Sequence, residues 1–361
     1  MSKNFMQPTL IAGAVLALTA GMAQAQNSVT IYGIVDAGIQ YTDKANAAGG
    51  SLTELNNGGR LPSIWGFKGS EDLGGGLKAS FNLEGDFDSG TGAGNRGPGT
   101  GLDKGPFQRQ ANVGLSGDFG SILLGRQYSV ALLADLAVDP RGYKESLSSL
   151  STYALTQVEI NGSNTLGIFT SNAISYSNAF GPVKVGLMYG FGEQTGDIEK
   201  ARTMAIGATY TGAVIVSGSY QEINASANKN YGTERFSLGV AVPMGNLTFK
   251  GYYANSKLND ATGEASQIDN YAVGVDYKWN AQNTVTAAYY QGDDKNVAGD
   301  GKSTNFILSN DYALSKRTTV YAQYAYIDRG IAAPGGTTVN FGATPAGEKS
   351  SILGVGITHT F

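Results

Sequence analysis

The chain has no cysteine, one histidine, two tryptophans and nine prolines in 361 residues. Without cysteine there is no disulfide and no thiolate metal site. With His359 the sole imidazole, a histidine-based catalytic centre has little to work with. The formal net charge is −4 and no basic block occurs, which argues against a nucleic-acid partner. Beyond the N-terminus no apolar run approaches the ~20 residues a membrane helix requires, so a helical membrane protein is excluded. A β-barrel is not, because its strands need only ~9–11 residues each.

The exceptional apolar run is "TLIAGAVLALTAGMA", preceded by Lys3 and followed by Ala23-Gln24-Ala25. This is the pattern of an export signal with a small-x-small cleavage site. Residues 1–25 are therefore expected to be a signal peptide, with the fold in 26–361. The chain is expected to leave the cytoplasm.

Glycine (52), tyrosine (20) and phenylalanine (14) are abundant. They accompany strict alternation. In "LKASFNLEGDFD", residues Leu77, Ala79, Phe81, Leu83 and Phe87 share one face, opposite Lys78, Asn82, Glu84, Asp86 and Asp88. "VKVGLMYGF" (183–191), "ERFSLGVAV" (234–242) and "YAVGVDYKW" (271–279) repeat the pattern. Period 2 over such lengths specifies strands. Short turns fall at "GDFG" (117–120), "AFGP" (179–182), "TGA" (211–213), "PMGN" (243–246), "NAQN" (280–283) and "LSKR" (314–317), each carrying turn-forming residues. Longer polar stretches at 42–59, 89–105, 257–267 and 329–349 alternate with them. The count comes to 16 strands, an even number with both ends on one side.

Short turns at one end and long loops at the other characterise outer-membrane barrels, whereas a soluble sandwich has no reason to segregate them. The apolar faces are then expected to meet lipid and the ionic faces to meet enclosed water. Backbone groups in hydrocarbon must pair within the sheet, which only a closed barrel allows for strands.

Several segments resemble the trimeric general porins of Gram-negative outer membranes, in particular a beta-proteobacterial subfamily. They are "SVTIYGIVDAG", "GFKGSEDLGGGLKASFNLE", "RQANVGLSGDFGSILLGRQY", "NAISYSNAFG", "LSKRTTVYAQYAY" and the terminal "GITHTF". The resemblance spans the chain after residue 25. It implies an all-β, 16-stranded antiparallel transmembrane barrel and a homotrimer. It also implies passive diffusion of small hydrophilic solutes and ions, with no cofactor. It further implies that Phe361 is the aromatic end read by the barrel-assembly machinery. A third long loop, about 129–170 here, would fold inward and narrow the lumen.

The same resemblance implies arginines on the wall facing that loop. Arg109 matches one such position. At the other two stand Ile64 and Phe169, so weaker anion preference and a partly apolar eyelet are expected. Arg60, Lys68, Lys78 and Arg126 remain as basic candidates, opposite the loop acids Asp135, Asp139, Glu145 and Glu159. Strict alternation puts Arg109 on the face of Val113 and Leu115; a bulge, or a position beyond the lipid band, would turn it inward.

Other motifs carry less. "GAGNRG" (92–97) matches GxGxxG but is followed by Pro98-Gly99, so it reads as a surface loop. Asp293, Asp294 and Asp300 lack the spacing of a calcium loop and read as a solvated hairpin. An outer-membrane barrel enzyme is the competing class, and it lacks a Ser/His/Asp cluster. A purely structural barrel is the third class.

Overall fold

A computed structural model of the chain describes residues 28–94, 105–158, 167–226 and 228–361. The expected signal segment, the second half of "GAGNRG" (95–97) and Glu159 lie outside the described residues.

Seventeen β segments form one antiparallel meander closed on itself. In order they are β1 (Ser28–Thr42), β2 (Leu52–Asn57), β3 (Ile64–Gly74), β4 (Leu77–Asp86), β5 (Gln110–Gly117) and β6 (Gly120–Tyr128). After a long inserted segment come β7 (Phe169–Phe180), β8 (Val183–Gly190), β9 (Thr203–Thr211), β10 (Ile215–Asn224) and β11 (Gly232–Met244). The circuit finishes with β12 (Leu247–Asp260), β13 (Gly263–Lys278), β14 (Asn283–Asp294), β15 (Lys302–Ala313), β16 (Thr318–Arg329) and β17 (Lys349–Thr360). Closure runs from Ile34 opposite Thr360 to Thr42 opposite Ile352.

The staves number sixteen, because β2 and β3 share one. β2 pairs with residues 37–42 of β1, and β3 pairs with residues 28–34. Residues 58–63 interrupt that stave at mid-height.

The outer wall is apolar, as alternation in lipid demands. On β1, Val29, Ile31, Val35, Ile39 and Tyr41 are exposed, while Asp36 between them is fully buried inside. The neighbouring β17 repeats this with Leu353, Val355 and Ile357 outside and Thr358 inside. Phe119, Phe180, Tyr210, Tyr277, Trp279 and Tyr312 ring the short-turn end. That is the interfacial position where amphipathic rings are favoured. His359 sits near this end, its Nδ1 2.9 Å from Thr318 Oγ1.

Loop lengths segregate as expected, with two exceptions. The 42–59 stretch holds strand β2 at Leu52–Asn57. Residues 257–267 are not a long loop. β12 runs to Asp260 and β13 restarts at Gly263, with Lys257 opposite Gln267. The polarity of this stretch marks strand ends standing in water, not an irregular connection. In the 294–302 hairpin, Asp293 pairs with Lys295, and Asp294 accepts from Ser266 Oγ at 2.6 Å. Asp300 accepts from the Lys302 backbone N–H.

Two helices lie in the segment between β6 and β7: α1 (Val130–Asp135) and α2 (Ser149–Val158). Ser129 caps α1, its hydroxyl accepting from Ala131 N at 3.2 Å.

Candidate functional site

The β6–β7 segment lies inside the barrel, against a wall built to receive it. Gly186, Gly207, Gly239 and Gly274 stand on the inner faces of β8, β9, β11 and β13. A Cβ on Gly207 would fall 2.4 Å from the Val130 carbonyl oxygen. One on Gly239 would fall 2.5 Å from Val138, and one on Gly274 2.7 Å from Pro140. Missing side chains thus let the loop backbone sit directly on the sheet.

Beneath it the inner wall carries an apolar patch among its polar residues. Val138 and Leu147 bury against Ala254, Ala272, Ala288, Ile307 and Ile327. Each of the Val, Leu and Ile side chains contributes roughly 1.5–3 kcal/mol by leaving water.

Buried polar bonds fix the loop further. Asp135 accepts from Tyr143 Oη at 3.2 Å and Tyr252 Oη at 3.1 Å. Arg235 donates to Tyr252 and, at 2.8 Å, to Ser256, with its guanidinium 4.5 Å from the centre of the Tyr153 ring. Arg141 donates to Ser309 at 2.7 Å and Gln323 at 3.0 Å, tying the loop to β15 and β16. From above, the β16–β17 connection (330–348) folds down. Ser151 Oγ donates to Thr338 O at 3.0 Å and accepts from Phe341 N at 2.6 Å.

These contacts revise the expected field across the lumen. Asp135 and Asp139 are fully buried where the loop meets the wall; Asp135 accepts from Ser237 and Tyr252 and lies near Arg235, not Arg109. Their neighbours are Ser, Tyr and backbone N–H donors, which is why they turn inward. Arg141, Arg235, Tyr143, Tyr153 and Tyr252 carry the anchoring and were not marked by the sequence reading. Nothing in a strand pattern distinguishes a lumen residue under a loop from one in open water.

The basic side sits on β3, β5 and β6. Arg109 precedes the first residue of β5, and its N–H reaches Glu84 O at 3.1 Å. It therefore escapes the alternation that sends Val113 and Leu115 outward. Its Nε donates to Glu84 Oε1 at 2.9 Å and its Nη2 to Tyr128 Oη. Arg126 lies at a bulge between Gly125 and Gln127, where Gly125 has φ +116°. It donates to the Gln108 carbonyl and, at 2.6 Å, to Ser171 Oγ.

Phe169 lies beside both, its ring centre 5.0 Å from the Arg109 guanidinium and 5.5 Å from that of Arg126. Tyr128 packs against the same ring at 4.6 Å. Phe169 and Ile64 are only 4% and 7% exposed, so they form no open apolar rim. Phe169 is a platform for guanidinium groups.

Lys68 stands lower on the same wall, 4.9 Å from the Tyr32 ring centre. Lys78 lies apart from this group. It stands opposite Asp72 in the strand register next to the β3–β4 turn, six residues and about 20 Å along the strand from Glu84.

Across from Arg109, loop residues 144–146 stitch the broken stave. Glu145 N donates to Arg60 O at 3.2 Å, Ser146 Oγ to Gly59 O at 3.3 Å, and Leu61 N to Asp36 Oδ2 at 3.2 Å. These bonds satisfy backbone groups that no ladder reaches, which membrane depth requires. Arg60 and Lys144 share one acceptor, Asp311 Oδ2, at 2.8 and 2.9 Å. Burial, aided by Arg141, pushes the Lys144 ammonium down to about 8. Burial also raises the Glu145 carboxyl, with Arg109 pulling it back.

The arrangement holds charges of both signs around the lumen, and among the described residues it pairs no nucleophile with a base. Comparisons agree. The family model for Gram-negative porins matches residues 12–331. An outer membrane porin protein of Bordetella pertussis is 28% identical over 423 residues, covering 99% of this chain and 100% of that one. Outer membrane porin protein 32 of Delftia acidovorans is 31% identical, again over 99% and 100% of the two chains. The anion-selective porin from Comamonas acidovorans superposes with a TM-score of 0.80 at 27% identity, covering 93% of this chain and all of that one. A closed sixteen-stave barrel, an apolar outer wall and a loop folded into the lumen meet these matches in one conclusion: the chain belongs to the Gram-negative porin family, the β-barrel channel proteins of the outer membrane.

Proposed function

We propose that this porin passes small hydrophilic solutes and ions by diffusion with weak anion preference, and that it works as a homotrimer. The observation that carries the selectivity reading is the pairing of its lumen cations. Arg109 is bound to Glu84, and Arg60 and Lys144 share Asp311, so two carboxylates offset two of these three cations. A paired guanidinium offers a passing anion less than a free one, because the local field is largely cancelled. The Comamonas relative is described as anion-selective. At two of the positions where the family resemblance implies arginine, this chain has Ile64 and Phe169.

Reversal potentials across a KCl gradient in planar bilayers test this reading. A permeability ratio near unity, rising toward anions as salt is lowered, supports it, since screening over ~8 Å at physiological salt damps the residual field. Strong anion selectivity at high salt would contradict it. Cross-linking of the detergent-extracted protein to a three-chain species tests the assembly.

A further inference from the structure

Between the broken stave, the end of β4 and the two inward loops lies a cavity of about 360 Å³. Its lining includes Asn56, Ser63, Asp86, Glu145, Ser146 and Phe341. The volume sits at the small end of the range for ligand sites, ~300–1,000 Å³.

The polar side chains differ in how far they are engaged. Ser63 Oγ lies 3.1 Å from the Asp36 carbonyl and 2.8 Å from Asn57 Oδ1, and its one proton is shared between these acceptors. Asp86 accepts from Gln108 Nε2. Glu145 is different: among the described residues its carboxylate forms no ion pair and accepts no hydrogen bond. Arg109, the cation that acts on it most strongly, is already bound to Glu84. A carboxylate with no protein donor at a half-enclosed position favours a cation that can donate hydrogen bonds.

The apolar wall is equally definite. Phe341 is held by the Phe341 N–Ser151 Oγ bond in a positive-φ conformation (φ 53°), rare outside glycine and asparagine. A ring at the margin of an acidic cavity favours an organic cation through its face and through apolar contact. Bare divalent metal fits less well. Calcium takes 6–8 oxygen ligands, and among the described residues no group of three candidate ligands is placed to hold a metal.

We infer that this cavity is a subsite for small organic ammonium ions carrying an apolar group, with the ammonium on Glu145 and the apolar part on Phe341. An ammonium has three donors, enough for Glu145 and neighbouring oxygens of Asn56 and Ser146. The inference rests on the channel reading and names a solute class for it.

Planar-bilayer recording with three probes of similar size tests it: phenethylammonium, phenethyl alcohol and phenylacetate. Phenethylammonium is expected to interrupt the current at about tenfold lower concentration than the alcohol, the equivalent of one charge-assisted hydrogen bond. Glu145→Gln is expected to abolish that difference. Phe341→Ala is expected to bring phenethylammonium down to the level of ethylammonium. Equal block by the ammonium and the alcohol on the wild-type channel would overturn the subsite, as would unchanged block in folded Glu145→Gln. The wild-type comparison stands whether or not either variant folds. A wild-type barrel without stepwise conductance would overturn the channel reading as well.

Discussion

The Arg109 guanidinium stands 5.0 Å from the centre of the Phe169 ring, and Arg126 flanks the same ring at 5.5 Å. Each contact of this kind is worth about 0.5–2 kcal/mol, depending on desolvation. Phe169→Leu keeps an apolar side chain but removes the ring face. The expected outcome is looser guanidinium groups, more current noise in the open channel and a modest shift toward anions. Single-channel recording and reversal potentials check it. Leucine is the informative choice, since an arginine at 169 would crowd a third cation onto two others.

Glu84 neutralises Arg109 inside the wall, with both side chains only 6% exposed. Glu84→Gln leaves the shape and removes the charge. Anion permeability is expected to rise. Thermal stability is expected to fall by an amount corresponding to about 3 kcal/mol, the cost of stranding a buried charge. Reversal potential and heat-modified gel migration report the two effects separately.

Lys144 titrates near pH 8, below the ~10.4 of a free lysine. Its folded pKa is depressed, so across the window between those values the unfolded chain binds more protons. Stability should therefore increase as pH rises through that window. At the same time the lumen loses one positive charge, leaving Asp311 to Arg60 alone. Permeability is expected to move toward cations between neutral pH and about pH 9, following that titration. Lys144→Met should abolish the response, while a response unchanged in that variant would assign it elsewhere.

The inner glycines set how far the loop stands off the wall. Gly239→Val would drive atoms into Val138, whose Cγ2 lies 2.5 Å from the position of the first added carbon. Overpacking of this kind typically costs about 1–3 kcal/mol. The loop is expected to shift into the lumen, lowering single-channel conductance with little change in ion preference. An unchanged conductance would mean that the strand, not the loop, gives way.

The barrel was legible in the sequence because alternation, turn chemistry and loop lengths all follow from one constraint, a wall between lipid and water. The inner architecture was only partly so. The bounds of the inward segment were close, since β6 ends at Tyr128 and β7 starts at Phe169. The orientation of Asp135 and Asp139 was not, because period 2 does not operate inside a loop. Arg109 escaped its face by lying one residue outside β5, and Arg126 by a bulge at Gly125. Neither displacement leaves a mark in the pattern of apolar residues. The inward fold of 330–348 was hidden for the same reason as the anchoring tyrosines. Its polar and small residues read as water-facing until a second loop is placed beneath them.

The stitch across residues 58–63 ties two things usually considered apart. Carbonyls of the interrupted stave at Gly59 and Arg60 meet donors from the same short run that holds Lys144 and Glu145. Any displacement of that run would strip these peptide groups of their protein partners and leave them to the water of the lumen. Wall and loop are therefore coupled at this corner: the loop cannot swing away from it without giving up the hydrogen bonds that finish the interrupted stave.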